Sequence, residues 1–248
     1  QEKNTEEIKH LKETLRKTAR AMDLAVRLIA SSEIRKNRLY VNGQLLTSEK
    51  VKGEISAELS RIGFTASHTI VSSGIHSSKP HDTGTGALYA DKAVIIDIFP
   101  RSQRTGFFGD MTRTVIRGEP SPDLVNMYNT VLAGQKLAIS MVKAGVKVKD
   151  IHDAVVNSFE EAGFKTGELH GKVQGFIHST GHGLGLEIHE PPRIGPGDEV
   201  LEEGNVVTIE PGLYYEKLGG VRIEDVVLVE KKGCKNLTRY PKRFRVKV

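Results

Sequence analysis

The chain has 248 residues, 38% of them hydrophobic and 27% charged, with 36 basic against 31 acidic side chains and a net charge of +5. That balance is ordinary for a globular protein with a sizeable core, and it excludes disorder, collagen-like repeats and a coiled coil as the main architecture. No apolar run approaches the roughly 20 residues of a membrane span, residues 1–13 (QEKNTEEIKHLKE) contain no secretory apolar region, and the one cysteine, Cys234, cannot form an intramolecular disulfide, so a reduced, cytoplasmic setting is expected.

Ile8, Leu11, Leu15, Met22, Val26 and Ile29 follow helical steps and predict an amphipathic helix running to about Ala30. Thr47-Ser48 opens a second helix with Val51, Ile55, Leu59 and Ile62 turned inward and Gly63 at its end. Strand-like runs follow at 68–72, 93–99 and 111–116, with the Ser-, Gly- and His-rich segment 72–86 read as loop. Ser121-Pro122 starts a third helix to about Lys143, and 149–162 forms a fourth. A Gly- and His-rich stretch leads to further strands near 205–209, 213–215 and 221–229. The basic run Lys242-Arg243-Phe244-Arg245-Val246-Lys247 reads as a solvated tail rather than a nucleic-acid patch, so no nucleic-acid partner is expected.

This order, helix-helix-strands twice over, predicts a duplication. VKGEISAELSRIGF (51–64) lies over IHDAVVNSFEEAGF (151–164) at an offset of 100, with apolar positions in step. Leu24-Ala25-Val26 lies over Leu137-Ala138-Ile139 at an offset of 113. VIIDIF (94–99) lies over VTIEPG (207–212), which places Asp97 on Glu210, and GDMTRTV (109–115) lies over IEDVVLV (223–229), which places Asp110 on Glu224. Two halves, about 1–117 and 118–248, would be related by a pseudo-twofold. Their strands would join in one curved, mostly antiparallel sheet covered by helices, an α+β fold in a single domain. The four carboxylates would converge near the pseudo-axis.

Carboxylates inside apolar strands are costly to bury without compensation. Four together repel one another unless cations hold them ionised, and two divalent ions match their charge. The segment 178–192 adds His178, His182 and His189. His-x-x-x-His is not read as a helical zinc site: the glutamate of the HExxH pattern is missing, and Gly181, Gly183 and Gly185 oppose a helix. The segment also lacks the spacing of a phosphate loop.

Six motifs, PHDTG (80–84), VIIDIF (94–99), GDMTRTV (109–115), HSTGHGLGLEIHEPP (178–192), VVTIEPGLYY (206–215) and GGVRIEDVVLV (219–229), together resemble the dinuclear metallopeptidases of the pita-bread fold, which include methionine aminopeptidase, aminopeptidase P and Xaa-Pro dipeptidase (prolidase). The resemblance runs from about residue 5 to the C-terminus and implies that fold. It implies metal ligation by Asp97, Asp110, His182, Glu210 and Glu224, with two divalent ions per chain from among Mn, Co, Fe and Zn. It also implies that Glu210 doubles as general base, that His81 meets the substrate or leaving group, and that His189 meets the scissile carbonyl or the tetrahedral intermediate. His178 and Arg222 match substrate-side residues of the proline-directed members.

Two departures qualify the match. Asp97 and Asp110 are 13 residues apart, about two more than in many relatives, which lengthens a hairpin at the substrate rim. The chain also opens almost at the first catalytic helix, where Xaa-Pro peptidases usually carry a separate N-terminal domain; that domain is expected to be absent. Arg222-Ile223-Glu224-Asp225 stands where methionine aminopeptidases have a Glu-His-Thr type motif, and the Glu-Pro-Gly-Leu-Tyr string is prolidase-like. The expected activity is hydrolysis of the bond before proline in Xaa-Pro dipeptides or peptides with an Xaa-Pro N-terminus. A methionine-type aminopeptidase and a non-catalytic pita-bread binding module are the alternatives. The expected partner is a small peptide, with no membrane, and a homodimer is an assembly the resemblance allows. His10, His152 and His170 are expected to be solvated. His68 and His76 are expected to lie near the cleft, where they could equally be structural polar residues. Tyr214 and Tyr215 either line the pocket or pack, and Cys234 has no local partner for nucleophilic chemistry.

Overall fold

A computed structural model describes residues 2–169 and 171–247; His170, expected to be solvated, lies outside them. Helix α1 spans Thr5–Ala30 and is started by a capping box in which Asn4 accepts from the Glu6 and Glu7 amides while the Glu7 side chain returns to the Asn4 amide. Helix α2 is Ser48–Arg61, capped by Thr47. Helices α3 (Pro122–Met141) and α4 (Val148–Glu161) repeat that pair in the second half, with Ser121 capping and Pro122 in the first turn of α3. α3 and α4 approach closely at Gly134, where a Cβ would stand 2.5 Å from the Phe159 ring.

The strands repeat as well. Ile70–Ser73, Val94–Ile98 and Met111–Val115 form an antiparallel ladder in that order. Gly181–Gly183, Val206–Ile209 and Asp225–Glu230 form a second antiparallel ladder in the same order, extended at its edges by Glu190–Ile194 and Gly233–Asn236. Each half has its own core. One joins α1 and α2 to the 94–98 and 111–115 strands, and the other joins α3 and α4 to the 206–209 and 225–230 strands. This is the α+β pita-bread arrangement, with duplicated helix-helix-strands halves.

Five details differ from the sequence reading. The halves do not share one continuous ladder. They meet at a seam where Glu224 N donates to Thr112 O (3.1 Å) and the Thr114 hydroxyl bonds the backbone of Arg222. The expected strand at 221–229 is two strands. Gly219–Arg222 pairs with Gly212–Tyr215, and the chain then leaves the ladder at Ile223-Glu224, where Ile223 N turns to Pro211 O. The basic tail keeps Arg243, Arg245 and Lys247 exposed, as a solvated run would, but its backbone and apolar residues dock: Ile116 exchanges backbone hydrogen bonds with Phe244 and Val246, Phe244 stacks on Tyr128 at 4.2 Å, and Val246 is buried. His10 and His152 are packed as well. His10 tilts against Phe107, while His152 shares a 2.9 Å hydrogen bond with Thr180 Oγ1 and tilts against Phe176. A small antiparallel meander over Glu33–Arg35, Arg38–Val41 and Gln44–Leu45 is not among the expected elements, although Asn42-Gly43, both at positive φ, marks its second turn. No helix among the described residues is long and apolar enough to cross a membrane.

Candidate metal centre

Each ligand candidate sits where its strand ends or pairs at the seam. Asp97 lies on the 94–98 strand, opposite Thr112. Asp110 immediately precedes the 111–115 strand, Glu210 immediately follows 206–209, and Glu224 occupies the gap between the 219–222 and 225–230 strands. His182 is the middle residue of the 181–183 strand, and its neighbours must be small. A Cβ at Gly181 would stand 1.9 Å from Thr208 O, and one at Gly183 2.6 Å from Glu190 O. The glycines that rule out a helix here thus let this strand lie flat against two backbones.

These groups converge on one cavity of about 780 Å³, lined by all of the expected site residues: His81, Asp97, Asp110, His178, His182, His189, Glu210, Arg222 and Glu224. Asp110, His182 and Glu224, all buried, present donor atoms within 4.8 Å of one another. His182 Nε2 lies 3.6 Å from Asp110 Oδ2 and 3.4 Å from Glu210 Oε1. Asp97 joins the group from the side, through a 2.8 Å ion pair from Arg222 Nη2.

The electrostatics are those of an anionic cluster in which four carboxyls share a single cation, Arg222. Burial, reinforced by the charge of Asp97, pushes the Glu224 carboxyl up to about 8. Burial together with Glu224, Asp97 and Glu210 raises Asp110 well above the carboxylate range, and burial with Glu224 does the same to Glu210. Asp110 and Glu224 are close enough for one proton to bridge them. With both ionised, Glu224 Oε1 meets no donor, and neither does Asp97 Oδ1, among the described residues. Buried carboxylate oxygens without donors, beside an imidazole held neutral, suit a divalent cation. Burial lowers His182 to about 4, leaving Nε2 free to donate its lone pair while Nδ1 faces Gly183 O at 3.0 Å. The donor set therefore fits a metal, and its mix of carboxylates with one imidazole fits Mn, Co, Fe or Zn.

Around this cluster the remaining residues are held in place. Tyr214 is fully buried: its hydroxyl accepts from Arg222 Nη1 at 2.7 Å and meets His178 Nε2 at 2.9 Å, so it packs against the site rather than facing open space. Tyr215 instead donates to Lys165 O. Burial, with the Arg222 charge, pushes His178 down to about 3 and keeps it neutral. His189 stands at right angles to His182, ring centres 4.4 Å apart, and is exposed to the cavity. Burial, then Arg193, lowers its pKa. His81 is exposed at the cavity wall, and His68 lines it too. His76 binds Asp82 at 3.0 Å. Sequence reading missed Arg193, which lines the cavity and donates from Nε to Ser179 Oγ at 2.7 Å. Its place in Glu-Pro-Pro-Arg-Ile, four residues after His189, was the available signal.

Comparison with known proteins points the same way. The profile of metallopeptidase family M24 matches residues 9–231. An Xaa-Pro dipeptidase of Pyrococcus horikoshii is 41% identical over 173 residues, covering 69% of this chain and 46% of the relative, and that of Pyrococcus furiosus is 42% identical over 173 residues. Among solved structures, an Xaa-Pro dipeptidase from Bacillus anthracis superposes with a TM-score of 0.85 at 32% identity, over 99% of this chain and 64% of that one. The prolidase from Pyrococcus horikoshii gives 0.84 at 32% identity, over 98% of this chain and 64% of that one. The chain thus spans about half the length of these curated relatives and a little under two thirds of the solved ones.

Proposed function

We propose, on the premise that this chain belongs to metallopeptidase family M24, that it hydrolyses the peptide bond before proline in Xaa-Pro dipeptides or peptides with an Xaa-Pro N-terminus. Family membership implies divalent metal cofactors. The finer reading is two ions per chain, held by Asp97, Asp110, His182, Glu210 and Glu224. The observation that carries it is the buried acid cluster with donorless oxygens at Asp97 and Glu224, open to a cavity walled by histidines. When bound, the ions supply Lewis acidity and lower the pKa of a water to near neutrality.

The chain's own residues supply the rest. Glu210 takes up a proton at a carboxylate oxygen, its carboxylate being kept ionised by the cations it would help to hold. His189, exposed beside His182, donates to the developing oxyanion. His81 hands a proton to the departing proline nitrogen. A bond before proline is a tertiary amide without an N–H, so its pocket needs no acceptor at that point. Arg222, Tyr214 and His178 form a hydrogen-bonded brace that fixes Asp97 and the cavity wall. Arg193 offers an exposed cation to a free carboxylate at the far end of a dipeptide.

The test is hydrolysis of Ala-Pro, Ala-Pro-Xaa and Met-Ala-Xaa with Mn, Co or Zn supplied in turn. Cleavage before proline that a chelator abolishes and one of these ions restores is expected. Preferential release of Met, or no cleavage by protein carrying two ions per chain, would overturn the reading.

A further inference from the structure

The three residues before α1 reach the far side of the candidate site. Lys3 N donates to Gly204 O at 2.8 Å, and Glu2 bridges Asn205 beside it, which lays this segment along the edge of the second half. From there the Lys3 side chain passes inward to form an ion pair with Glu190 Oε2, 187 residues away. Both side chains are buried, Lys3 to 5% exposure and Glu190 to 10%. A lysine this deep is costly unless its partner is fixed, and Glu190 is: its second oxygen, Oε1, accepts the Glu187 amide at 3.2 Å. Gly185 makes room for the pair, since a Cβ there would stand 2.3 Å from Glu190 Oε1 and 2.6 Å from Lys3 Nζ. Glu190 is therefore clamped from both oxygens, and it is the residue immediately after His189.

We propose that Lys3 is a positioning residue: through Glu190 it fixes the 185–190 turn that presents His189 to the cleft. The pair closes that turn at its base, because Glu190 opens the 190–194 strand and lies in register with Gly183, next to His182. The exposed tip of the turn, Leu186 and Glu187, has little packing to hold it, so the ionic base sets where the His189 ring stands. The segment before α1 thereby acts as a strap on the cavity.

This inference rests on the catalytic role given to His189, and its test separates the two. Lys3→Met and Glu190→Gln are each compared with the intact chain by the His189 Cε1–H resonance, by metal stoichiometry and by kcat and KM on Ala-Pro. The His189 resonance is expected to shift or broaden in both variants while that of His178, held by Tyr214, stays. Metal stoichiometry and KM are expected to hold while kcat falls roughly 10- to 100-fold, the cost of a small misplacement of a reacting group. Lys3→Arg is expected to restore most of kcat, and Glu2→Ala to change nothing. Glu190→Gln, the same size as the native residue, decides the matter where Lys3→Met melts early. An unchanged His189 resonance and kcat in both variants would overturn the proposal. Absence of turnover in the intact chain would sink the peptidase reading while leaving the resonance comparison to decide the strap.

Discussion

Glu224 and Asp225 are neighbours in the chain and equally buried, yet they face opposite worlds. Asp225 points behind the sheet. There Arg113 Nη2 donates to it at 2.9 Å, Asn236 at 2.7 Å, and Lys242 closes the ion pair. Arg113 spends all of its donors on this rear face, on the carbonyls of Thr112, Glu224, Tyr240 and Pro241 as well as on Asp225. Glu224 points forward into the cavity. The Thr112 hydroxyl donates to one of its oxygens, and three further carboxyls, Asp97, Asp110 and Glu210, crowd it. Burial alone therefore does not mark a functional carboxylate. What distinguishes the front face is that four carboxyls share one cation, Arg222, and leave Asp97 Oδ1 and Glu224 Oε1 without a donor among the described residues, whereas the rear face answers each Asp225 oxygen with a donor.

Replacing each acid in turn should give opposite signatures. Glu224→Ala is expected to lose metal binding and hydrolysis to below detection while the chain still folds. Asp225→Ala is expected to cost about 3–5 kcal/mol of stability in urea unfolding, because it strands a buried arginine. The reverse pattern, a metal-binding defect for Asp225→Ala and an unfolded Glu224→Ala, would break the distinction.

The next effect is the pH dependence of the chelator-treated chain. Glu224 keeps its proton to about 8 when folded but loses it near 4.5 when unfolded, so over that interval the folded state binds more protons and stability falls as pH rises. Asp110 and Glu210 act in the same direction. His178 and His182, lowered to about 3 and about 4, oppose this below pH 6.5, so the clean window is pH 6.5 to 8. The melting temperature of the chelated chain should drop across that window, and added divalent metal should remove most of the drop. A melting temperature that is flat across the window, with and without metal, would mean that the front face is compensated after all.

Smaller effects refine the picture. Tyr214→Phe removes the hydroxyl that braces Arg222 and His178 and should lower activity roughly 10- to 100-fold. Arg193→Gln should raise KM for Ala-Pro about threefold, the scale of an exposed charge pair, and leave Ala-Pro-amide unaffected. An equal change for both substrates would detach Arg193 from carboxylate recognition.

Much of this was legible in the chain itself. Asp97 sits inside an apolar strand run, Asp110, Glu210 and Glu224 flank strand runs whose pattern is local, both helix pairs carry apolar stripes, and α1, α2 and α3 carry their own side-chain caps. The illegible parts are long-range. Docking of Phe244 and Val246 on Ile116, the Arg113 hub, and Lys3 on Glu190 join residues more than a hundred positions apart with no shared pattern. His10 and His152 read as solvated because their helices look amphipathic; their burial comes from Phe107 and Phe176, supplied by distant segments. The break at Ile223-Glu224 was hidden for a different reason, since β-branched residues flank it on both sides, Val221 and Ile223 before and Val226-Val227 after, while the hydrogen bonds change partners.

The most direct test of the central claim is calorimetric titration of the chelator-treated chain with Mn²⁺ at pH 7.5, beside Glu224→Gln. Saturable uptake of two ions per chain with release of protons, lost or cut to one ion in Glu224→Gln, is the predicted result. No saturable uptake, or identical uptake by the two proteins, would contradict it.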